Sequence, residues 1–311
     1  MVDRGEGMTK PRFLVSLITK ENDYQMEQAA AARSAAGELG VDAEIVYANN
    51  DPITQSTQVL KAVQEEPSLR PNGILVEPLG ATAFPQVAQA AAQAGIGWAV
   101  LSRKAEYAAE LSRSAKTPIF SISVDQVEVG RILARQTMAL LPRGGSALYI
   151  QGPSVSSVSK DRHTGLSELL PANVHLTTLR GRWTEESAYQ SVCAWLKLMA
   201  AQRLRIDLVL AQNDVMGIGA KKAIDENVIG PDRDDWLSLP TLGCDGVPMT
   251  GQTWVRTGQL TATVIVPPSA GKALTLMLQA LQRGATITDH IFTAPVPFPE
   301  IDKLSPRKPA Q

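Results

Sequence analysis

Cysteine and aromatic residues are scarce in this chain, and it has neither a strongly signed charge nor a long apolar run. Two cysteines, Cys193 and Cys244, in 311 residues exclude a disulfide scaffold. Cys193 falls in a helical pattern and Cys244 ends a strand, so two buried thiols are expected in place of a bridge. With 30 basic against 31 acidic residues the net charge is -1, which leaves no electrostatic footprint for nucleic acid or an anionic membrane. No apolar stretch approaches the roughly 18 residues needed to span a bilayer. The start, MVDRGEGMTKPRFLVSL, carries a short apolar segment with no small-residue cleavage site after it, so no secretory signal is read there.

Catalytic signatures are missing as well. No G-x-x-x-x-G-K-[ST] loop occurs; Arg143-Gly144-Gly145-Ser146 precedes a strand instead of following one. No G-x-G-x-x-G opens a helix, and no G-x-S-x-G marks a nucleophile elbow. The 3 histidines, His163, His175 and His290, lie in separate elements without metal-ligand spacing. No catalytic residue, no metal and no cofactor is expected, and the chain is not read as an enzyme.

What is present is a regular alternation. Apolar runs at Phe13 to Ile18, Ala43 to Tyr47, Gly73 to Val76, Gly97 to Leu101 and Ile119 to Val124 read as strands, separated by helical stretches. The helix Tyr24 to Leu39 is alanine-rich and stops at Gly40. Further helices are read at 54–66 and 82–94. The second half repeats the pattern, with strands near 147–151, 174–179, 208–211, 241–244 and 260–266. Helices are read there at 127–141, 161–170, 185–202 and 271–284. Such alternation predicts parallel sheets covered on both faces, and its length predicts two α/β lobes. The end of the chain, from Pro295, is rich in proline and lysine and is expected to fray.

The most informative stretch is DLVLAQNDVMGIGA, residues 207–220. An apolar strand breaks at Gln212-Asn213-Asp214, where Asn213 or Asp214 would cap the helix that follows. The run PTLGC at 240–244 ends the same way, in Asp245-Gly246. In open parallel sheets such tips lie at the carboxyl ends of the strands, where ligands bind. Adjacent tips bearing amides and carboxylates suit a ligand rich in hydroxyls.

AQND followed by GCDG resembles the AQND…GFDG pair of periplasmic sugar-binding proteins of the ribose-binding type, which share their fold with LacI-like effector domains. The resemblance runs from about Pro11 to Asp302. It implies the type I periplasmic binding protein fold: two doubly wound parallel-sheet lobes joined by a three-strand hinge. The lobes are expected at 10–122 plus 267–288 and at 123–266 plus 289–305, with 306–311 as a tail. The implied function is a solute-binding protein of an ABC-type transporter. It would capture a sugar or polyol by hinge closure and deliver it, as a monomer, to a membrane permease. The alternative is a ligand-sensing domain signalling to a regulator or kinase. The location implied is the periplasm, or the cytoplasm if the chain is complete as written.

The candidate ligand-binding residues are Asn22, Tyr24, Arg103, Lys160, Trp183, Asn213 and Asp245. Asn22 and Tyr24 match, in type, the amide and aromatic that the family places after its first strand; a helix cap by Asn22 or Asp23 is the plainer reading. Arg103 keeps the family's planar fork, while Ser102 replaces its usual aspartate. Lys160 stands where the family has a binding arginine. Trp183 offers a flat face to C–H groups, or else packs on the helix after it. Asn213 and Asp245 match the motif residue for residue, and Asp214 is expected to cap its helix. Ser102 and Val266 stand where family members carry polar contacts. Polyols, cyclitols, deoxy sugars and modified sugars are therefore as open as an aldopentose.

Overall fold

The computed structural model describes residues 10–79, 84–199, 205–231, 233–284 and 287–306. Outside these lie the chain start, the first residues of the expected helix 82–94, the end of the expected helix 185–202, and residues 307–311 of the expected tail. The chain divides into two compact units, residues 1–123 with 268–293 and residues 124–267 with 294–311. It therefore passes from one to the other three times, after Ser123, Pro267 and Thr293.

The first unit runs β1 (Arg12–Leu17), α1 (Asp23–Leu39), β2 (Asp42–Tyr47), α2 (Pro52–Gln64), β3 (Gly73–Val76), α3 (Phe84–Gln93), β4 (Gly97–Leu101), α4 (Glu106–Ser112) and β5 (Ile119–Val124). The second runs α5 (Gln126–Leu140), β6 (Gly145–Gln151), α6 (Ser157–Leu169), β7 (Val174–Arg180), α7 (Glu185–Met199), β8 (Leu208–Ala211) and α8 (Asp214–Asn227). It continues with α9 (Arg233–Leu237), β9 (Thr241–Leu242), α10 (Gly251–Arg256) and β10 (Thr263–Ile265). The chain then returns to the first unit for α11 (Ala270–Arg283) and β11 (His290–Thr293), and β12 (Val296–Phe298) closes the second. Among the described residues no helix is long and apolar enough to cross a membrane.

The sheet of the first unit has the order β11-β5-β4-β3-β1-β2, and β1 to β5 pair in parallel. Every residue of β3, β4 and β5 is buried, as expected of strands sandwiched between helices. On one face Phe13, Val15 and Leu17 pack with Ala29, Ala32, Leu274 and Met277 of α1 and α11. On the other, Leu14, Ile74, Val76 and Trp98 pack with Val59, Val63, Phe84 and Val87 of α2 and α3. Alternate residues of β1 thus supply both cores.

The second unit holds a four-stranded parallel sheet, β7-β6-β8-β9, and an antiparallel pair, β10-β12. Caps fix where its helices begin. Asp125 accepts from Glu128 N, Ser156 from Ser159 N and Asn213 from Met216 N. Helices α5 and α6 meet backbone to backbone. A methyl on Gly165 would lie 2.8 Å from Val127 C, and one on Gly130 would lie 2.7 Å from Leu166 N.

Four expectations are corrected. Residues 289–293 belong with the first unit, because β11 adds an edge to its sheet beside β5. The stretch after Pro295 does not fray throughout: β12 pairs with β10, and a turn of 3-10 helix follows at Ile301–Lys303. Asn213, not Asp214, caps α8. Cys244 is a buried free thiol, but Cys193 is only partly buried.

Candidate functional site

All strands of the four-stranded sheet run one way, so the residues after β6, β7, β8 and β9 gather at one edge. Arg162 of α6 organises that edge. Its side chain is almost wholly buried, and its Nε donates to Gln126 Oε1 at 2.8 Å. One terminal nitrogen donates to the carbonyl of Gln212, and Nη2 reaches Asp245 Oδ1 at 3.4 Å. The guanidinium lies 5.7 Å from the centre of the Trp183 ring, within cation–π range. A buried charge this close to a carboxylate, an indole and a carbonyl is compensated on several sides, as burial requires.

The neighbouring amides lock the tips together. Gln212 is fully buried; its Oε1 accepts from Gly152 N at 2.8 Å, and its Nε2 donates to Ser159 O at 2.9 Å and to the Tyr149 hydroxyl. Burial pushes the Tyr149 phenol well above its ordinary pKa, so it stays protonated. Asn213 Oδ1 accepts from Met216 N at 3.1 Å while its Nδ2 donates to Trp183 O at 3.2 Å. Asp214 points into the protein. Its Oδ2 accepts from Gly246 N at 2.7 Å and its Oδ1 from Thr263 Oγ1 at 2.6 Å. Gly243 and Gly251 leave room for that carboxylate, since a methyl on either would run into it.

The backbone is strained at the same edge. Trp183 has φ 66° and Asp245 φ 106°, a region that side-chain-bearing residues seldom occupy. In the first unit Ser102, after β4, has φ 64°. Beside it the Gln28 amide nitrogen lies 3.1 Å from Ser102 Oγ, 3.3 Å from Ser269 Oγ, and 3.4 Å from both Glu77 Oε2 and the Tyr24 hydroxyl. Gln28 Oε1 accepts from Ala270 N at 2.9 Å, which ties α1 to the start of α11. Burial raises the pKa of Glu77 against the lowering effect of Gln25, Arg103, Ser102 and Gln28. Burial also lowers that of Arg103, and the Glu77 charge opposes the shift.

The structure brings Trp183, Asn213 and Asp245 into one cluster and puts Tyr24 and Arg103 around Glu77 in another. Asn22 accepts from Gln25 N and caps α1, so its oxygen already has a structural partner. Lys160 is not part of the cluster: it is exposed on α6, and Arg162, two residues on, takes the inward place. Helical phase carries that signal, because Ser159, Arg162 and Leu166 share the buried face of α6. Gln28, Glu77, Gln126 and Gln212 were also missed. A charged or amide residue beside a strand reads as solvated loop unless its burial is known. Among the described residues no group of three or more His, Cys, Asp or Glu side chains could hold a metal ion.

Residues 13–286 match the periplasmic binding protein domain family. The xylitol-binding protein of Mycolicibacterium smegmatis (strain ATCC 700084 / mc(2)155) is 28% identical over 265 residues, which cover 81% of this chain and 68% of that protein. The galactofuranose-binding protein YtfQ of Escherichia coli (strain K12) is 23% identical over 281 residues, or 89% and 83% of the two chains. The crystal structure of a galactofuranose binding protein superposes with a TM-score of 0.79 at 22% identity, covering 93% of this chain and 94% of its own. That likeness gives the fold, the type I periplasmic binding protein architecture.

Proposed function

Because the chain belongs to the periplasmic binding protein domain family, we propose that it captures an uncharged sugar or polyol and hands it, unchanged, to the permease of an ABC-type transporter outside the cytoplasm. The observation that carries this reading is the cluster of Arg162, Asp245, Asn213 and Trp183 at one sheet edge. Arg162 and Asp245 cancel each other's charge, so the cluster offers a neutral ligand donors and acceptors without a net field. The indole supplies an apolar face for C–H groups. Asp245, partly exposed, contributes an acceptor-only carboxylate suited to hydroxyl donors.

Tyr24 and Arg103 would supply the matching groups from the first unit, and the two units would close on the ligand. A ligand shifts such an equilibrium only if it binds the closed form better, so both sets of residues are required. Asn22 serves mainly as a cap, and its amide nitrogen would serve the ligand. Asn213 is a buried cap whose nitrogen already gives one hydrogen to Trp183 O, so only its other hydrogen would be offered. Lys160 is given up as a ligand group in favour of Arg162. The reading assigns no catalytic residue, cofactor or metal.

Thermal-shift measurements against xylitol, D-fructose, D-galactose and myo-inositol test it. A true ligand at 100 times its dissociation constant adds about 2.7 kcal/mol of apparent stability. Asp245→Ala and Arg103→Ala should each abolish the shift. No shift with any neutral sugar or polyol, or a hit unaffected by both substitutions, refutes the reading.

A further inference from the structure

Glu77 follows β3, all of whose residues are buried, and is itself 6% exposed. Its backbone is fixed: the N–H donates to Ser16 O at 2.9 Å and the carbonyl accepts from Gln55 Nε2 at 2.8 Å. The carboxylate draws its side-chain hydrogen bonds from neutral groups alone. Gln28 has two amide hydrogens but stands within 3.4 Å of four acceptor oxygens, of which Glu77 Oε2 is among the farthest. Gln25 and Ser102 contribute the other side-chain hydrogen bonds.

Arg103 is the natural partner: it is attracted to Glu77 by charge, without a hydrogen bond between the two side chains. Its Nε is buried and has no hydrogen-bond partner. A buried guanidinium N–H without an acceptor, near a buried carboxylate that it attracts but does not hydrogen-bond, is an expensive arrangement unless a third group joins them. A hydroxyl is the group that both donates and accepts.

We propose that Glu77 and Arg103 jointly hold one hydroxyl of the ligand, which donates to the Glu77 carboxylate and accepts from Arg103. Glu77 thereby supplies the first unit with the acceptor that Ser102, at the next strand tip, does not provide. The inference rests on the sugar or polyol reading above and adds a specificity rule to it. The ligand must present a free hydroxyl at this position; an ether, a deoxy carbon or a carboxylate there is rejected.

The titratable and charged groups around this acid are Arg103, Tyr107 beyond it and Tyr24 on α1; Gln25, Gln28 and Ser102 are neutral. Burial raises the acid's pKa, so the wild type should lose affinity as the pH falls through that raised value and the carboxylate takes up its proton.

Calorimetric titration of the full chain with xylitol and myo-inositol, between pH 4.5 and 8, tests the assignment. Glu77→Gln should bind the better of the two at least tenfold more weakly at pH 7. Its affinity should no longer fall toward acid, while its melting temperature without ligand stays at or above that of the wild type. Binding within twofold of wild type, with the same pH profile, overturns the assignment and leaves the sugar reading standing. A wild type that binds neither probe overturns both. If Glu77→Gln does not fold, Arg103→Lys decides, because it keeps the charge and removes the Nε donor; unchanged affinity in that variant overturns the assignment.

Discussion

Gly130→Ala puts a methyl into the seam between α5 and α6. It would lie 2.7 Å from Leu166 N and 2.9 Å from Arg162 C, and would overlap the Arg162 carbonyl oxygen. Carbon contacts become favourable only near 3.5 Å, and the carbonyl oxygen is nearer than either of those atoms, so α6 has to retreat by roughly 1 Å or more. Overpacking of this kind costs about 1–3 kcal/mol. Alanine returns up to about 1 kcal/mol of helix propensity, and the net loss is about 0–2 kcal/mol. Arg162 rides on the helix that moves, whereas its 2.8 Å partner Gln126 stays with α5. Hydrogen bonds to charged groups contribute about 1.5–3 kcal/mol, so loosening this one should weaken ligand binding roughly 10- to 100-fold. Gly37→Ala is the control. Gly37 is exposed in α1, and a methyl there meets nothing within 4 Å, so that variant should gain up to about 1 kcal/mol and bind normally. Urea denaturation and calorimetry read both quantities. If the two variants gain stability alike, or Gly130→Ala binds like the wild type, the argument that α5 positions Arg162 is wrong.

Two further outcomes are expected. Asp214→Ala leaves Gly246 N–H and the Thr263 hydroxyl without their acceptor; at about 1–3 kcal/mol for each orphaned group it should cost more than Asn213→Ala, where a cap is worth about 1 kcal/mol. Melting temperatures in which Asn213→Ala is the worse of the two would contradict this. His290 has its pKa lowered from 6.5 by burial and by Lys104, and its Nδ1 is buried without a partner. The unfolded chain therefore binds the proton more tightly. The stability His290 contributes is present above pH 6.5 and is lost as the pH falls through the lowered folded value. His290→Gln should flatten that part of the stability profile between pH 7 and 5, and an unchanged slope would refute the assignment.

Much of the fold could be read from the chain because buried parallel strands are written as short apolar runs and their partner helices are punctuated by caps. Gly40 stands just past α1 in the left-handed conformation, as its position implied. What failed was long-range. HIFT at 290–293 is too short to announce which sheet it joins, and pairing beside β5 decided it. Within the candidate site, alignment by motif position favoured Lys160, while the phase of α6 buried Arg162. Asn213 and Asp214 both looked like caps; which one turned inward depended on Gly246 and Thr263, residues far along the chain. Glu77 was hidden for the same reason, since nothing local says that an acid after GILV lies under Gln28.

The strand β9 is only two residues long, and the turn after it is moored both by a side chain of α8 and by backbone hydrogen bonds to residues 262–266. Asp245 is thus a removable fitting on a separately anchored mount. Exchanging it for asparagine, serine or glutamate leaves Asp214, Gly243 and Gly251 holding the loop. A lineage, or an engineer, can retune what this edge recognises one residue at a time without dismantling the sheet that carries it.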